Sequence, residues 1–242
     1  MKYFVVSDVH GFYSILKDEL DKAGFIQNNK NHTLIICGDL FDRGPEAYNL
    51  LRYLNATQNK IIVRGNHEDL MLSMIERKAP GQHDVINGTY DTAMQLAQSG
   101  NCNIDYRTLS KIFDQIVEKS VDYYETKHYI FVHGFIPVKC NDILPDYYAR
   151  NRNFEYDVNW KNGNWKQARW INGIDAAIDN LNETGKTIIC GHWHCSYGHH
   201  ITEGTSEFKD DAIWDPWKYN NVIAIDRCTA HTHQINLLTI ED

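Results

Sequence analysis

Short apolar runs alternate with longer segments in which apolar residues recur every three or four positions. A β-type run opens the chain at 3–7, and Leu34-Ile35-Ile36-Cys37 and Ile61-Ile62-Val63 follow. Continuous apolar character without polar alternation predicts strands covered on both faces. Between them, 13–23 places Ile15, Leu16 and Leu20 on one helical face and stops at Gly24. A second helix is predicted over 45–54, starting at Gly44-Pro45, and a third over 67–77. Buried strands alternating with amphipathic helices predict an α/β architecture.

The pattern then changes. Residues 79–119 show no clear strand, but 91–98 and 106–118 read as helices. This predicts a helical insertion at about 79–119, beside or over the functional site. Strands resume at 121–126 and 129–132. A polar, Trp-rich stretch covers 151–170, a helix 174–181 and a buried strand 187–190. Residues 194–220 read as a long loop or ragged hairpin, and 222–226 and 234–240 as closing strands. With no internal repeat or low-complexity linker, 1–242 is expected to form a single domain.

Composition narrows the function. The chain has 24 basic and 32 acidic residues, a formal charge of −8. That balance argues against long nucleic acid and anionic membranes as partners. No apolar run is long enough to span a bilayer, and the chain begins in a short strand that meets Asp8 at once, so the cytoplasm is the expected location. The six cysteines (Cys37, Cys102, Cys140, Cys190, Cys195, Cys228) form no CxxC pair and read as reduced core residues, with a structural zinc on Cys190 and Cys195 as a minor alternative.

Polar chemistry follows apolar strands repeatedly. The first strand runs into Asp8-Val9-His10, the second into Gly38-Asp39-Leu40-Phe41-Asp42-Arg43-Gly44, and the third into Gly65-Asn66-His67-Glu68. Later strands run into His133-Gly134 and Gly191-His192-Trp193-His194. Ligands of open α/β sheets bind just past the carboxyl ends of strands, so this is one rim. Asp8 and His10, two residues apart, face the same way and suit a divalent transition metal such as Mn, Fe or Zn. Asp39 can bridge two metals, with Asn66, His133 and His192 completing a second site. A metal pair about 3.5–4 Å apart is a device for phosphoester hydrolysis. Two dications would also make the pocket positive within an acidic protein. His67 is the expected general acid, oriented by Asp42, and Arg43 the expected phosphate clamp.

These motifs resemble the calcineurin-like metallophosphoesterase superfamily, and Gly38-Asp39-x-x-Asp42-Arg43-Gly44 with Gly65-Asn66-His67-Glu68 resembles its phosphoprotein phosphatase branch. That branch includes Ser/Thr protein phosphatases and symmetrical diadenosine tetraphosphate hydrolases. The motifs stand in the family's order from Asp8 to His194, and Ile225-Asp226 is similar to the family's closing strand. The resemblance implies a sandwich of two β-sheets flanked by helices (α/β/β/α) and a dinuclear Mn, Fe or Zn centre. One metal would take Asp8, His10 and Asp39; the other Asp39, Asn66, His133 and His192. Asn66 would also reach the substrate, and Arg169 would be a second phosphate-binding arginine. In Gly191-His192-Trp193-His194, His194 would be a further ligand of the first metal, as in the wider superfamily.

Blander roles compete with these. Asp42-Arg43 could be a salt bridge at a helix start, and Arg169 could stack on Trp165 or Trp170. His32, His83, His128, His199, His200, His231 and His233 read as surface or loop residues. Trp160, Trp165, Trp170, Trp214 and Trp217 read as packing, the functional alternative being a cleft for a nucleobase. The leading expectation is a Ser/Thr protein phosphatase-like phosphomonoesterase using metal-bound hydroxide as nucleophile. The alternatives are a dinucleoside polyphosphate hydrolase or other nucleotide phosphoesterase, a phosphodiesterase, and a metal-binding scaffold without catalysis. Expected partners are a phosphorylated protein or peptide, or a nucleotide.

Overall fold

The computed structural model describes residues 1–100, 103–140 and 154–242. Ten strands build two five-stranded sheets. In chain order they are β1 (Lys2–Val6), β2 (His32–Cys37), β3 (Lys60–Val63), β4 (Ser120–Val121), β5 (Tyr124–Glu125), β6 (Tyr129–Phe131), β7 (Thr187–His194), β8 (Trp217–Tyr219), β9 (Val222–Asp226) and β10 (Leu238–Glu241). The first sheet has the order β10-β1-β2-β3-β4 and the second β8-β9-β7-β6-β5. β1, β2, β3 and β4 are parallel and β10 is an antiparallel edge. In the second sheet β6, β7 and β9 are parallel, between antiparallel edges.

The apolar runs are continuous because each strand is buried twice. Along β1, Tyr3 and Val5 join the core between the sheets, while Phe4 and Val6 face helices. β2 repeats this, with Ile35 and Cys37 inward and Leu34 and Ile36 outward. In the second sheet Ile189 and Ile225 meet Val5 and Ile35 across the sandwich, while Ile188, Cys190 and Ala224 face the opposite helical layer. The result is the expected α/β/β/α layering, with side chains alternating between the two buried faces.

Helices α1 (Tyr13–Lys22), α2 (Ala47–Ala56), α3 (Asn66–Arg77), α4 (Gln82–Ile86), α5 (Thr89–Ala97) and α6 (Tyr106–Lys119) lie along the first half of the chain. The segment expected to be an insertion does not stand apart from the fold. Ala93, Ala97, Leu109, Phe113 and Ile116 are buried in the same cluster as Leu16, Leu50 and Met71, so α5 and α6 belong to the outer helical layer. α6 starts where the Asp105 side chain accepts from the amides of Arg107 and Thr108. The second layer holds α7 (Trp165–Ala168), α8 (Gly173–Ile178) and α9 (Cys195–Glu203), with Trp160, Trp165 and Trp217 buried among them. A final short helix, α10 (Thr229–Thr232), follows β9.

Several expectations are corrected. The predicted strand at 121–126 is two short strands in different sheets, since the chain crosses the sandwich between Val121 and Tyr124. The described residues of 79–119 include a small ladder, Gln98–Ser99 against Asn103–Ile104. The predicted loop over 194–220 contains α9 and β8, because Cys195 and Tyr197 turn inward and Trp217 fills the space against them. The last strand begins at Leu238 rather than 234. Cys102 lies outside the described residues. The other five cysteines are free, and Cys195 Sγ donates to the carbonyl of Ala224. Among the described residues no helix is long and apolar enough to cross a membrane.

Candidate active site

The parallel strands of both sheets end at one rim. β1 delivers Asp8 and His10, the turn after β2 delivers Asp39, Asp42 and Arg43, and the turn after β3 opens α3 with Asn66 and His67. From the other sheet come His133, just past β6, and His192, within β7. These residues, except the buried Asp42 and His133, line a pocket of about 220 Å³, which also includes His83, Asn87, Trp170 and Trp193. The backbone bends sharply to aim them. Asp8, His10, Asp39, Asp42, Arg43 and His192 all have φ between 48° and 74°, a left-handed region that costs each non-glycine residue roughly 1–3 kcal/mol. Two glycines make room. A Cβ at Gly65 would overlap the Asp39 carboxylate, and one at Gly191 would overlap that of Asp8.

Asp39 is the centre of the arrangement. Its Oδ2 lies 3.9 Å from His10 Nε2 and 3.9 Å from His67 Nε2. Its Oδ1 lies 3.3 Å from His133 Nε2 and accepts from the His67 amide at 3.0 Å. Among the described residues, two groups could hold a metal, His10–Asp39–His67 and Asp39–His133–His192, and they share Asp39. Asn66 Oδ1 stands 2.7 Å from His133 Nε2, beside the second group. The Asp8 carboxylate accepts from the His192 amide through both oxygens, at 3.0 and 3.2 Å, and so ties the sheets together. Neither group includes Cys190, Cys195 or His194.

The electrostatics suit metal binding. Burial pushes the pKa of His10 down, helped by Arg43, and lowers that of His133. Burial and His133 bring His192 down to about 3. Burial therefore favours the neutral form of these imidazoles, which keeps a lone pair for coordination. Burial alone would raise the pKa of Asp39, but the imidazoles of His133, His67, His10 and His192 hold it below the usual carboxylate range. Asp8 is pushed up by burial and by the charges of Asp226 and Asp39. The site thus concentrates carboxylates that need a cation. His192 Nε2 is buried without a hydrogen-bond partner, as a metal-facing nitrogen would be. The donor set of carboxylate, carboxamide and imidazole fits borderline divalent ions such as Mn, Fe or Zn.

His67 is held differently. Its Nδ1 is 2.7 Å from Asp42 Oδ2, which also accepts from the Thr89 hydroxyl at 2.7 Å, while the Asp42 amide donates to Thr92 Oγ1 at 2.9 Å. Burial disfavours the charged His67 ring, but Asp39 and Asp42 outweigh it and raise its pKa. Arg43 reaches His10 Nε2 at 2.7 Å and His67 Nε2 at 3.2 Å, which puts its guanidinium at the pocket. The helices at 79–119 do lie beside the site, since α5 supplies Thr89 and Thr92 and the α4 region supplies His83 and Asn87.

Two expected residues stand elsewhere. Arg169 is bound by Asp69 at 2.8 Å and by Asp122, in an adjoining cleft rather than in the metal pocket. Two carboxylates pair with it there, and it does not line the pocket that holds Asp39. His194 is turned to Glu207, 2.6 Å from Nε2, and stacks beside Trp193, so it is not placed as a ligand. Conversely, His83 and Trp170, read from sequence as surface and packing residues, line the pocket.

Glu68 was visible in its motif but carried no expected role. Its carboxylate accepts from the amides of Gly65 (2.8 Å), Leu40 (2.9 Å) and Asp39 (3.2 Å), so it fixes the two turns that carry Asp39 and Asn66. Burial and the Asp39 charge raise its pKa to about 7. Glu68→Ala leaves these donors facing a void and should cost about 3 kcal/mol. For a chain of this size that corresponds to roughly 6–12 °C in a thermal melt. A shift below about 2 °C would show that Glu68 does not organise the turns. The spacing that could have revealed it is Gly65-x-x-Glu68, in which the Glu68 carboxylate reaches back to the Gly65 amide at the start of α3.

A double sheet whose parallel strands deliver carboxylates and imidazoles to a shared aspartate defines the metallophosphoesterase class. The calcineurin-like phosphoesterase profile matches residues 1–235, and the chain belongs to that family. It is 41% identical over 102 residues to serine/threonine-protein phosphatase 2 of Escherichia coli, covering 42% of this chain and 40% of that protein. It is 39% identical over 69 residues to the symmetrical bis(5'-nucleosyl)-tetraphosphatase of Wigglesworthia glossinidia brevipalpis, covering 28% of this chain and 25% of that protein. The matches therefore span a quarter to two-fifths of these relatives' lengths. A protein serine/threonine phosphatase structure from Saccharomyces cerevisiae covers 93% of this chain and 67% of its own, with TM-score 0.53 and 18% identity, a likeness of fold.

Proposed function

We propose that this chain is a dinuclear-metal-dependent hydrolase of phosphomonoesters, with machinery of the Ser/Thr protein phosphatase type. The observation that carries this reading is the division of Asp39, whose Oδ2 faces His10 and His67 while Oδ1 faces His133. A carboxylate presented this way suits a bridging ligand. Asp8, His10 and Asp39 would hold one ion; Asp39, Asn66, His133 and His192 the other. When bound, two such ions supply Lewis-acid charge that polarises phosphoryl oxygens and lowers the pKa of water to about 7. Arg43 orients the phosphoryl group by donating to its oxygens. In its charged form, which Asp39 and Asp42 favour, His67 gives the Nε2 proton to the leaving oxygen, while Asp42, pinned by Thr89 and Thr92, accepts from Nδ1–H and holds the ring in place. Asn66 stands beside His67 at the start of α3 and can reach both the second ion and the substrate.

A second reading, hydrolysis of a dinucleoside polyphosphate, is favoured by the indoles of Trp170 and Trp193 in the pocket wall. The test is hydrolysis of p-nitrophenyl phosphate and a phosphothreonine peptide, read as phosphate released, and of diadenosine tetraphosphate, read as adenine nucleotide released, after chelation and after Mn²⁺ is returned. Chelation should abolish turnover, and Mn²⁺ should restore it as two ions bind per chain. Activity that survives complete metal removal would end the proposal. A dinucleotide cleaved orders of magnitude faster than either monoester would establish the second reading instead.

A further inference from the structure

The metal cluster and the phosphate clamp account for nearly all the polar surface of the pocket. Trp170 and Trp193 are left over, with His83 and Asn87 beside them in the lining. Among the described residues no aliphatic side chain lines the pocket, and the two indoles and the faces of the histidines supply its apolar surface. Both indoles abut the same imidazole. The ring centroid of Trp170 is 5.9 Å from that of His192 at an interplanar angle of 84°, and that of Trp193 is 6.0 Å away at 65°. Trp193 is backed by His194, stacked at 18°, and by the edge of Tyr197, so this wall is fixed by packing. His192 Nε2, the orphaned nitrogen, marks where the phosphoryl end of a substrate must lie.

We propose that Trp170 and Trp193 form a slot for a flat ring joined directly to the phosphate, so that the preferred substrates are aryl phosphate monoesters. The inference rests on the phosphomonoesterase reading above and names its leaving group. Distance selects the ester-linked ring. Indoles about 6 Å from the His192 ring are one ring-to-ring contact from a metal ligand. A ring that touches them would stand close enough for a phosphate joined to it directly to reach the cluster. A nucleobase stands a whole sugar further out. Volume points the same way, because about 220 Å³ is below the roughly 300–1,000 Å³ of pockets that engulf larger ligands, and a dinucleotide would hang in solvent. A seryl or threonyl group carries no π face and gains no stacking from the slot.

Wild-type preference for an aryl ester would not by itself test this, since phenolate is the better leaving group. The experiment therefore reads binding. With Mn²⁺ present, Ki is measured for phenylphosphonate and methylphosphonate, and KM for phosphotyrosine, phosphoserine and adenosine 5'-monophosphate. Each is measured in wild type, Trp170→Leu, Trp193→Leu and the two aromatic-retaining variants Trp170→Phe and Trp193→Phe. Each stacking contact is worth about three- to tenfold. Wild type should bind phenylphosphonate at least tenfold tighter than methylphosphonate. Each Leu variant should cut that ratio about three- to tenfold, raise KM for phosphotyrosine more than for phosphoserine by the same factor, and be largely rescued by Phe. A ratio near one in wild type, or Leu variants that change both phosphonates equally, would overturn the slot while monoester hydrolysis still stood. A KM for the nucleotide more sensitive to the Leu variants than that for phosphotyrosine would also overturn it, in favour of a base-stacking role. Failure of wild type to cleave any of the monoesters would instead remove the reading beneath.

Discussion

Asp39→Asn is expected to lower kcat by about 10³- to 10⁴-fold and to reduce bound metal from two ions per chain to one. The magnitude follows from losing half of a two-ion clamp that both charges the phosphoryl oxygens and activates water. The stoichiometry follows from atoms. Oδ1 is already committed to acceptor duty, taking the His67 amide at 3.0 Å with His133 Nε2 at 3.3 Å. An asparagine would keep its oxygen there and turn its NH₂ toward His10 and His67, where Oδ2 stands now. A donor cannot ligate a cation, so the His10 side should lose its ion while the His133–His192 side keeps a weakened one. The side chain keeps its size, and the metal-stripped variant should melt within about 3 °C of the stripped wild type. Elemental analysis, Mn²⁺ titration and steady-state kinetics on p-nitrophenyl phosphate check the three parts. Two tightly held ions with activity within tenfold of wild type would show that Asp39 is not shared between metals.

The sheets and the ligand rim were legible in the sequence for one reason. Strands buried on both faces read as unbroken apolar runs, and the polar residues that interrupt them mark strand ends. Asp8, His10, Asp39, Asn66, His133 and His192 all follow that signal, and the structure gathers them around one pocket or its wall. What was not legible depends on pairing across the chain. Val121 and Tyr124 look like one strand because each is β-compatible locally, and the crossing between sheets is decided by their different partners, the distant Val63 for one and Phe131 on the following strand for the other. Thr89 and Thr92 give no sequence signal at all, since threonine on a helix is ordinary, yet they hold Asp42 from 47 and 50 residues away. Arg169 reads as a phosphate clamp through the family resemblance alone, and stacking on Trp165 or Trp170 is the blander reading. The counter-charges of Asp69 and Asp122, 100 and 47 residues distant, are visible only in three dimensions. His194 is turned to Glu207 for a similar reason, since Glu207 lies on a segment that the sequence presented as a long loop or ragged hairpin.

His67→Asn should produce the other large loss, about 10²- to 10⁴-fold in kcat on an alkyl phosphate, and it should depend on the leaving group. Proton donation matters most when the departing oxygen is a strong base. A seryl alkoxide needs the His67 proton before it can leave, whereas nitrophenolate leaves unaided. The variant should therefore lose at least tenfold more activity on phosphoserine than on p-nitrophenyl phosphate, and still bind two metal ions, because the ligands assigned to both ions remain. Asp42→Asn is the matched control. Asp42 touches the pocket only through His67, with Oδ2 at 2.7 Å from Nδ1 and shared with the Thr89 hydroxyl. Asparagine can keep the contact to Nδ1 only by its carbonyl oxygen and no longer offsets a charged ring. It should reproduce the leaving-group dependence of His67→Asn at smaller amplitude. The two changes together should cost little more than His67→Asn alone, because Asp42 acts through the ring that is already gone. Equal losses on both substrates would identify His67 as a ligand, consistent with its place in the His10–Asp39–His67 group, and would move the proton to another donor. Losses confined to the alkyl ester would leave the metals to Asp8, His10 and Asp39 on one side and give His67 to the leaving group.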